Sequence, residues 1–351
     1  MFKELKILEL SNVLAGPAVG MFFAEMGASV LKIENKLTDG DITRKWKLPS
    51  ESEQDISAYF SSINYNKKYL MMDYNNPKER SSLENHIKEC DIMITNFKHG
   101  DAEKFKLTYD YCKKINPKII YAHIGGFLSN PRRVAFDVLL QAETGFISMT
   151  GNKNQYAKMP VALIDVLAAH QIKEGILVAM IKQQKDKKPY KVTTTLEESA
   201  IASLMNQSTN FLMANHESKP IGTLHPNIAP YGDTFLTMEN ELLILAIGTD
   251  IQFKKFSDII GLDKVDFEGF KTNSKRLKRR EVMMKIIQSK TKNISTNYIL
   301  EKSINQNIPI GKINTVAEVL NTQVAKKMIL KEKIGEKLTK RIQTISFKLS
   351  N

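Results

Sequence analysis

The chain has 351 residues, 42% of them apolar and 25% charged, with a formal net charge of +13. That length supports one large or two medium domains with a substantial core. No apolar run reaches the roughly 18 residues of a membrane span, and the opening MFKELKILELSNV lacks the unbroken apolar core of a signal peptide. Two cysteines, Cys90 and Cys112, allow at most one bridge and form no metal-ligand pattern, so a reducing cytoplasm and no metal site are expected. The positive charge is dispersed. Its one dense run, KTNSKRLKRREVMMK (Lys271 to Lys285), has no interleaved aromatic residues for base stacking and suits a solvated helix face better than nucleic acid. A polyphosphorylated small molecule would also favour a positive protein through long-range attraction.

LKILEL reads as a short strand, SNVLAGPA as a turn, VGMFFAEMG as a short apolar helix and ASVLKIE as a second strand. Pro17 suits the first turn of that helix and Gly27 its left-handed C-terminal cap. This βαβ unit predicts parallel strands joined by a right-handed crossover. PKERSSLENHIKEC then reads as a helix, DIMITNF as a strand, AEKFKLTYDYCKKIN as one helix and KIIYAHIGGF as a strand. The alternation predicts an α/β fold with a mostly parallel sheet, whose ligands lie beyond the carboxyl ends of the strands. Asn12 to Ala15, Asn96 to Lys98 and Gly125 to Phe127 fall at such ends.

Next comes MPVALIDVLAAH, where Asp165 stands alone among apolar residues at the entry to the helix VLAAHQIKEGILVAMIKQQ. Asp is a preferred N-cap, worth about 1 kcal/mol, and this window favours that reading. A carboxylate held ionised by nearby N–H groups would equally be a nucleophile needing no general base. KVTTTL reads as a strand and EESAIASLMNQSTNFLMAN as one helix. His216 to Pro230, rich in Pro, Gly, His and Asn, reads as a linker. YGDTFLTMENELLILAIG predicts a hairpin turning at Glu239-Asn240. Mainly helical segments follow to about Lys333, and TISFKLS predicts a last strand.

LAGPAVG is not the G-x-G-x-x-G of dinucleotide folds, although Glu34 ends the second strand where an acid would hold a ribose. No G-x-S-x-G elbow supports a serine hydrolase, and His123 and His170 read as packed residues.

VLAGPAVGMFFAEMGASVLKIE with GDITRKW resembles the opening of the class III (CaiB/BaiF-type, formyl-CoA transferase-like) CoA-transferases. The similarity continues collinearly through YFSSINYNKKYLMMD, CDIMITNFKHG, INPKIIYAHIGGF, AFDVLLQAETGFISMTG, the Asp165 segment, LHPNIAPYGDTF, IGTDIQF and NIPIGKINTVAEVL. The resemblance implies a Rossmann-like large domain over 1–215, with 335–351 returning to it, a linker at 216–230 and a smaller α+β domain at 231–334, paired into an interlocked homodimer. It implies that Asp165 attacks an acyl-CoA thioester and passes CoA to a carboxylic acid through aspartyl anhydride and aspartyl-CoA intermediates. Coenzyme A is then a substrate, with no permanently bound cofactor and neither nucleic acid nor membrane as partner. Succinyl-CoA is the donor expected by frequency.

The residues matching the family's CoA contacts are Val13, Leu14, Ala15, Met72, Asn75, Asn96, Phe97, Lys98, Lys104, Arg133, Ala135, Phe136 and Asp137. Among these, Lys98, Lys104 and Arg133 suit phosphates, while Phe97 and Phe136 suit adenine or the pantetheine arm. Three departures stand out. Asn35, beside Lys36, replaces a common arginine. A Gly-rich active-site loop is missing, and SNPRRVAFD lacks the usual Gly before its aromatic residue. The chain stops at Asn351, where members continue with a proline-rich segment and a helix. Related acyl-CoA racemases carry a histidine where Phe136 stands, which disfavours proton exchange. An inactive CoA-binding protein is the remaining alternative.

Overall fold

The computed structural model describes residues 2–350, which divide into two compact units. One holds the chain up to Pro220 and again from Lys327; the other is Ile221–Lys326. The first unit runs β1 (Lys6–Leu10), α1 (Ala15–Glu25), β2 (Ser29–Asn35), α2 (Ala58–Ser62), β3 (Lys67–Met72), α3 (Pro77–Glu89) and β4 (Ile92–Thr95). It continues through α4 (Asp101–Lys104), α5 (Tyr109–Ile115), β5 (Ile120–Gly125), α6 (Asp137–Glu143) and a small hairpin, β6 (Gly151–Asn152) with β7 (Gln155–Tyr156). The last elements before the second unit are α7 (Leu163–Asp186), β8 (Tyr190–Thr195), α8 (Leu196–Ala202) and α9 (Met205–Ala214).

Six strands form one sheet in the order β3-β2-β1-β4-β5-β8, every neighbouring pair parallel. Parallel sheets are covered on both faces, and alternate residues here feed two separate cores. Ile7, Val30, Ile92, Ile94 and Ile120 pack with α1 and α7; Leu8, Ile33, Met93 and Tyr121 pack with residues of α3 and α5. The fold is mixed α/β, consistent with a Rossmann-like domain, and the strand order reverses between β1 and β4. At that reversal Asn12 and Asn96 exchange two hydrogen bonds: Asn12 N–H donates to Asn96 Oδ1 at 2.9 Å, and Asn96 Nδ2 donates to the Asn12 carbonyl at 2.8 Å. This joins the two loops at the point where such folds bind ligands.

Nearly all of α1 is buried, so glycine is needed where its backbone nears the sheet. A Cβ at Gly20 would collide with Glu9 Oε2. Gly27, at φ +95°, follows the helix in the left-handed conformation expected of it.

Three elements differ from expectation, and a fourth, β3, had no expectation. AEKFKLTYDYCKKIN is two helices, because Lys106 adopts φ +52° and lets the fully buried Leu107 enter the core before Thr108 caps α5. EESAIASLMNQSTNFLMAN breaks similarly at Met205, φ +44°. NKKYLMMD contributes β3, an edge strand whose exposed Lys68, Leu70 and Met71 blur the pattern of a buried strand. Finally, TISFKLS is not a strand; the chain returns instead through an antiparallel hairpin, β12 (Ile329–Ile334) and β13 (Lys337–Ile342). The inward residues of β13 are Thr339 and Arg341, and Arg341 pairs with Glu25 of α1 at 2.6 Å. A strand buried through polar side chains is hard to recognise from hydropathy.

In the second unit β9 (Tyr231–Leu236) and β10 (Leu242–Ala246) form the expected hairpin, with Asn240 at φ +59° in the turn. Between β12 and β10 in sequence lie α10 (Asp250–Ile259), α11 (Lys264–Phe270), α12 (Asn273–Lys278), α13 (Arg280–Thr291), α14 (Thr296–Asn305), β11 (Ile310–Lys312), α15 (Val316–Leu320) and α16 (Gln323–Lys327). β11 adds to β10, a strand within a stretch expected to be helical. The basic run is not simply a solvated face. Arg276 is fully buried, donating to the carbonyls of Ala229, Phe270 and Lys271 and to Asp250, while Arg280 binds Asp233 and the carbonyls of His225 and Tyr231. These two arginines tie down the end of the segment expected to be a linker. Among the described residues no helix is long and apolar enough to cross a membrane.

Candidate active site

The helix α7 leads into β8, so its first turn lies at the carboxyl edge of the parallel sheet. Its buried residues, Ile164, Asp165, Ala168, Ala169, Ile172, Ile176 and Ala179, recur every three or four positions and face the core. Asp165 belongs to that stripe and is 7% exposed. It is not the N-cap. Ala162 holds that place, Asp165 is the third helical residue, and no side-chain capping bond is formed. No donor reaches its carboxylate among the described residues, so the expectation of an ion held by local N–H groups is overturned. Burial, and then the charge of Asp137, push its pKa up to about 7.

The capping function belongs to Asp137. Its Oδ1 accepts the N–H of Ile164 at 2.7 Å and that of Asp165 at 3.4 Å, while Oδ2 accepts Gln141 Nε2 at 2.7 Å. Gln141 Oε1 in turn accepts the Met159 N–H at 2.8 Å. One carboxylate on α6 therefore fixes the start of α7 and sets a negative charge beside Asp165. Both Asp137 oxygens are engaged within the protein, one at the start of α7 and one on Gln141.

Tyr59 of α2 was not singled out by the sequence, yet it faces this cluster. Burial raises its phenol to about 12, followed by the charges of Asp165, Asp137 and Asp41. Trp46 packs edge-on against Tyr59, centroids 5.1 Å apart. The signal available was GDITRKW, which supplies Trp46 against the Tyr59 ring and the Asp41 charge that acts on its phenol. Glu34 is not free for a ribose: it accepts Arg44 Nε at 2.8 Å, Arg44 Nη2 at 2.5 Å and the Asp41 N–H at 2.8 Å.

Of the expected ligand residues, Val13 to Ala15 follow β1, Met72 ends β3, Asn96 to Lys98 follow β4, and Ala135 to Asp137 lie between β5 and α7. All these share the carboxyl edge. Their side chains differ in availability. Met72 is buried in the core, and half-buried Phe97 packs towards Phe105. Arg133 lies over the Phe127 ring and makes two bonds to Glu143, at 2.8 and 2.6 Å. Lys104 sits over the Phe105 ring. Lys98, Asn75 and Phe136 are exposed, whereas Leu14 is half-buried and Ala15 buried. Two surface depressions of about 470 and 330 Å³ share Arg44 and Lys45; Asp165 lines neither. His123 is half-buried in β5, bonded to Thr95 Oγ1 at 3.0 Å, and desolvation lowers its pKa to about 4.

The family model of CoA-transferase family III matches residues 2–351. The chain belongs to CoA-transferase family III. It is 31% identical to a succinate–glutarate CoA-transferase of Agrobacterium fabrum over 90% of this chain and 80% of that one. It is 30% identical to the human succinyl-CoA:glutarate CoA-transferase, covering 90% and 72%. A CaiB/BaiF family protein from Brucella suis superposes with a TM-score of 0.85 at 31% identity, over 98% of this chain and 91% of that one. For this family III CoA-transferase the relevant chemistry is acyl transfer. Among the described residues no group of three or more His, Cys, Asp or Glu could hold a metal ion.

Proposed function

We propose that this CoA-transferase moves CoA from an acyl-CoA thioester to a carboxylic acid with Asp165 as its nucleophile. The observation that carries the assignment is a buried carboxylate with no hydrogen-bond donor, on a core-facing stripe at the carboxyl edge of a parallel sheet. The Asp165 carboxylate attacks the donor thioester carbonyl, forming a C–O bond, and collapse of the tetrahedral adduct breaks the C–S bond to give a mixed anhydride and free CoA thiolate. The thiolate attacks the aspartyl carbonyl, releasing the donor acid and leaving aspartyl-CoA. The acceptor carboxylate displaces the thiolate to form a second anhydride, and thiolate attack on the acceptor carbonyl restores Asp165. Poor solvation suits each step, because it leaves the carboxylate weakly stabilised and keeps water from hydrolysing an anhydride.

The names of the relatives favour short dicarboxylates, so succinyl-CoA is the proposed donor and a glutarate-sized diacid the proposed acceptor. CoA lies along the edge formed by Val13 to Ala15, Met72 to Asn75, Asn96 to Lys98, Lys104 and Arg133 to Asp137. In this reading Asn75 and Lys98, both exposed, are direct contacts, while Met72 contributes through its backbone. The protein works as an interlocked homodimer: α9 has no buried residue and exposes Met205, Phe211, Leu212 and Met213, which a second copy would cover. Cys90 and Cys112 are buried free thiols, as a reducing cytoplasm would leave them.

Incubation with succinyl-CoA and then hydroxylamine should mark the peptide containing Asp165 by mass spectrometry. Absence of that mark in an enzyme that turns over would overturn the nucleophile assignment. Light scattering should give a dimer mass; a monomer at working concentration would remove the proposed assembly.

A further inference from the structure

Resting on that reading, we propose that Asp41 is a positioning residue that holds Val13 in a left-handed conformation and thereby sets the loop at the head of α1 that meets acyl-CoA. Val13 adopts φ +69°, a region that β-branched residues avoid. Its N–H donates to both oxygens of Asp41, each at 3.2 Å. Asp41 is fully buried and cannot easily move: Lys32 Nζ stands 3.1 Å from Oδ2, while Oδ1 accepts the Thr43 N–H at 3.1 Å and hydroxyl at 2.8 Å. Lys32 also donates to Glu9 at 3.0 Å and to the carbonyl of Ser11 at 2.5 Å.

The loop is thus pinned peptide by peptide. Lys32 holds the Ser11 carbonyl, Asn96 holds both backbone groups of Asn12, and Asp41 holds the Val13 N–H. The pinning stops there. The N–H groups of Leu14, Ala15 and Gly16 have no partner among the described residues, and Pro17 has none to offer. Beneath them, the buried Ser11 Oγ is also without a partner, and a Cβ on Gly16 would strike it. Three free donors are therefore presented by a turn whose shape depends on a strained valine and on the carboxylate that holds it.

Asp41→Asn tests this with little change in volume. An amide sets an NH2 either against the Lys32 ammonium or against the donors of Val13 and Thr43. The left-handed penalty for Val13 then goes uncompensated, which predicts about tenfold weaker binding of free CoA by calorimetry. KM for acyl-CoA should rise similarly, with kcat changed far less. Adding Val13→Gly should recover most of the affinity, because glycine adopts positive φ freely; loss of a purely structural bond would not be rescued this way. Should Asp41→Asn fail to fold, Val13→Pro leaves the buried charges intact but fixes φ near −65°, and should itself weaken CoA binding at least about tenfold. Parent-like affinity in folded Asp41→Asn or Val13→Pro, or no recovery in the double variant, overturns the proposal. Transfer by Asp165→Ala would instead overturn the nucleophile assignment and leave these affinities interpretable.

Discussion

Two buried carboxylates in the first unit occupy opposite environments. Asp41 lies among Lys32, Thr43 and the Val13 N–H, and Lys32 and Thr43 hold its pKa below the ordinary value despite burial. Asp165 has no donor, and burial with the charge of Asp137 lifts it to about 7. The first is an ion the fold has satisfied; the second is an ion the fold leaves unsatisfied. Stability alone favours the first arrangement, so the second points to chemistry.

The largest test of this contrast is Asp165→Ala. Transfer should fall to background in an assay of CoA movement between acids, while thermal unfolding occurs at or above the parent temperature, because the side chain removed was buried without a partner. Activity near parent level would erase the distinction. Asp41→Ala should do the reverse to the fold. It leaves the buried Lys32 with Glu9 as its one remaining ion-pair partner among the described residues, and breaking a buried ion pair from one side costs about 3–5 kcal/mol, measurable by denaturant unfolding. A loss below about 1 kcal/mol would mean that Glu9 alone suffices for Lys32.

The sequence made the sheet legible because LKILEL, SVLKIE, DIMITNF and KIIYAHIGGF alternate with helices at regular spacing. Asp165 was legible as an isolated acid in an apolar stretch. Its apparent capping position misled, because helix starts are placed only to within a residue or two, and Asp137, 28 positions earlier, is the actual cap. Such long-range substitutions of one cap for another leave no local trace. The same holds for Asp41, whose partners Lys32 and Val13 come from separate strand and loop segments. Arg276 and Arg280 read as surface charge for a related reason: periodicity shows which residues share a helix face, not whether a carbonyl-lined pocket receives them.

The two carboxylates should also give stability opposite pH dependences. Asp165 has a folded pKa of about 7 against 3.8 for the ordinary group, so the folded state binds the extra proton between these values. Its contribution therefore weakens as pH rises from about 4 to about 7, by a few kcal/mol at most, and is level outside that window. Asp41 has a lowered folded pKa, so its stabilisation is present above about 3.8 and is lost as pH falls through the lower folded value. Denaturant midpoints across pH 4 to 8 for parent and Asp165→Asn isolate the first effect, which the variant should lack. An unchanged slope would place the titration elsewhere.

The smallest expected effect belongs to Asp137→Asn, and it separates charge from geometry. The asparagine carbonyl can still accept the Ile164 N–H, so the start of α7 is preserved, but the charge beside Asp165 is gone. Because the proposed nucleophile must be ionised, kcat/KM in the parent should fall below an inflection near pH 7, reporting the free enzyme. Removing the second cause of the shift leaves only burial, so the inflection should move to lower pH. Activity at pH 6 would then rise relative to its own plateau. If Asp137 acts only as a cap, the substitution lowers the plateau without moving the inflection. A movement towards higher pH would show that the helix start had shifted and buried Asp165 more deeply, making cap geometry the dominant influence on that carboxylate.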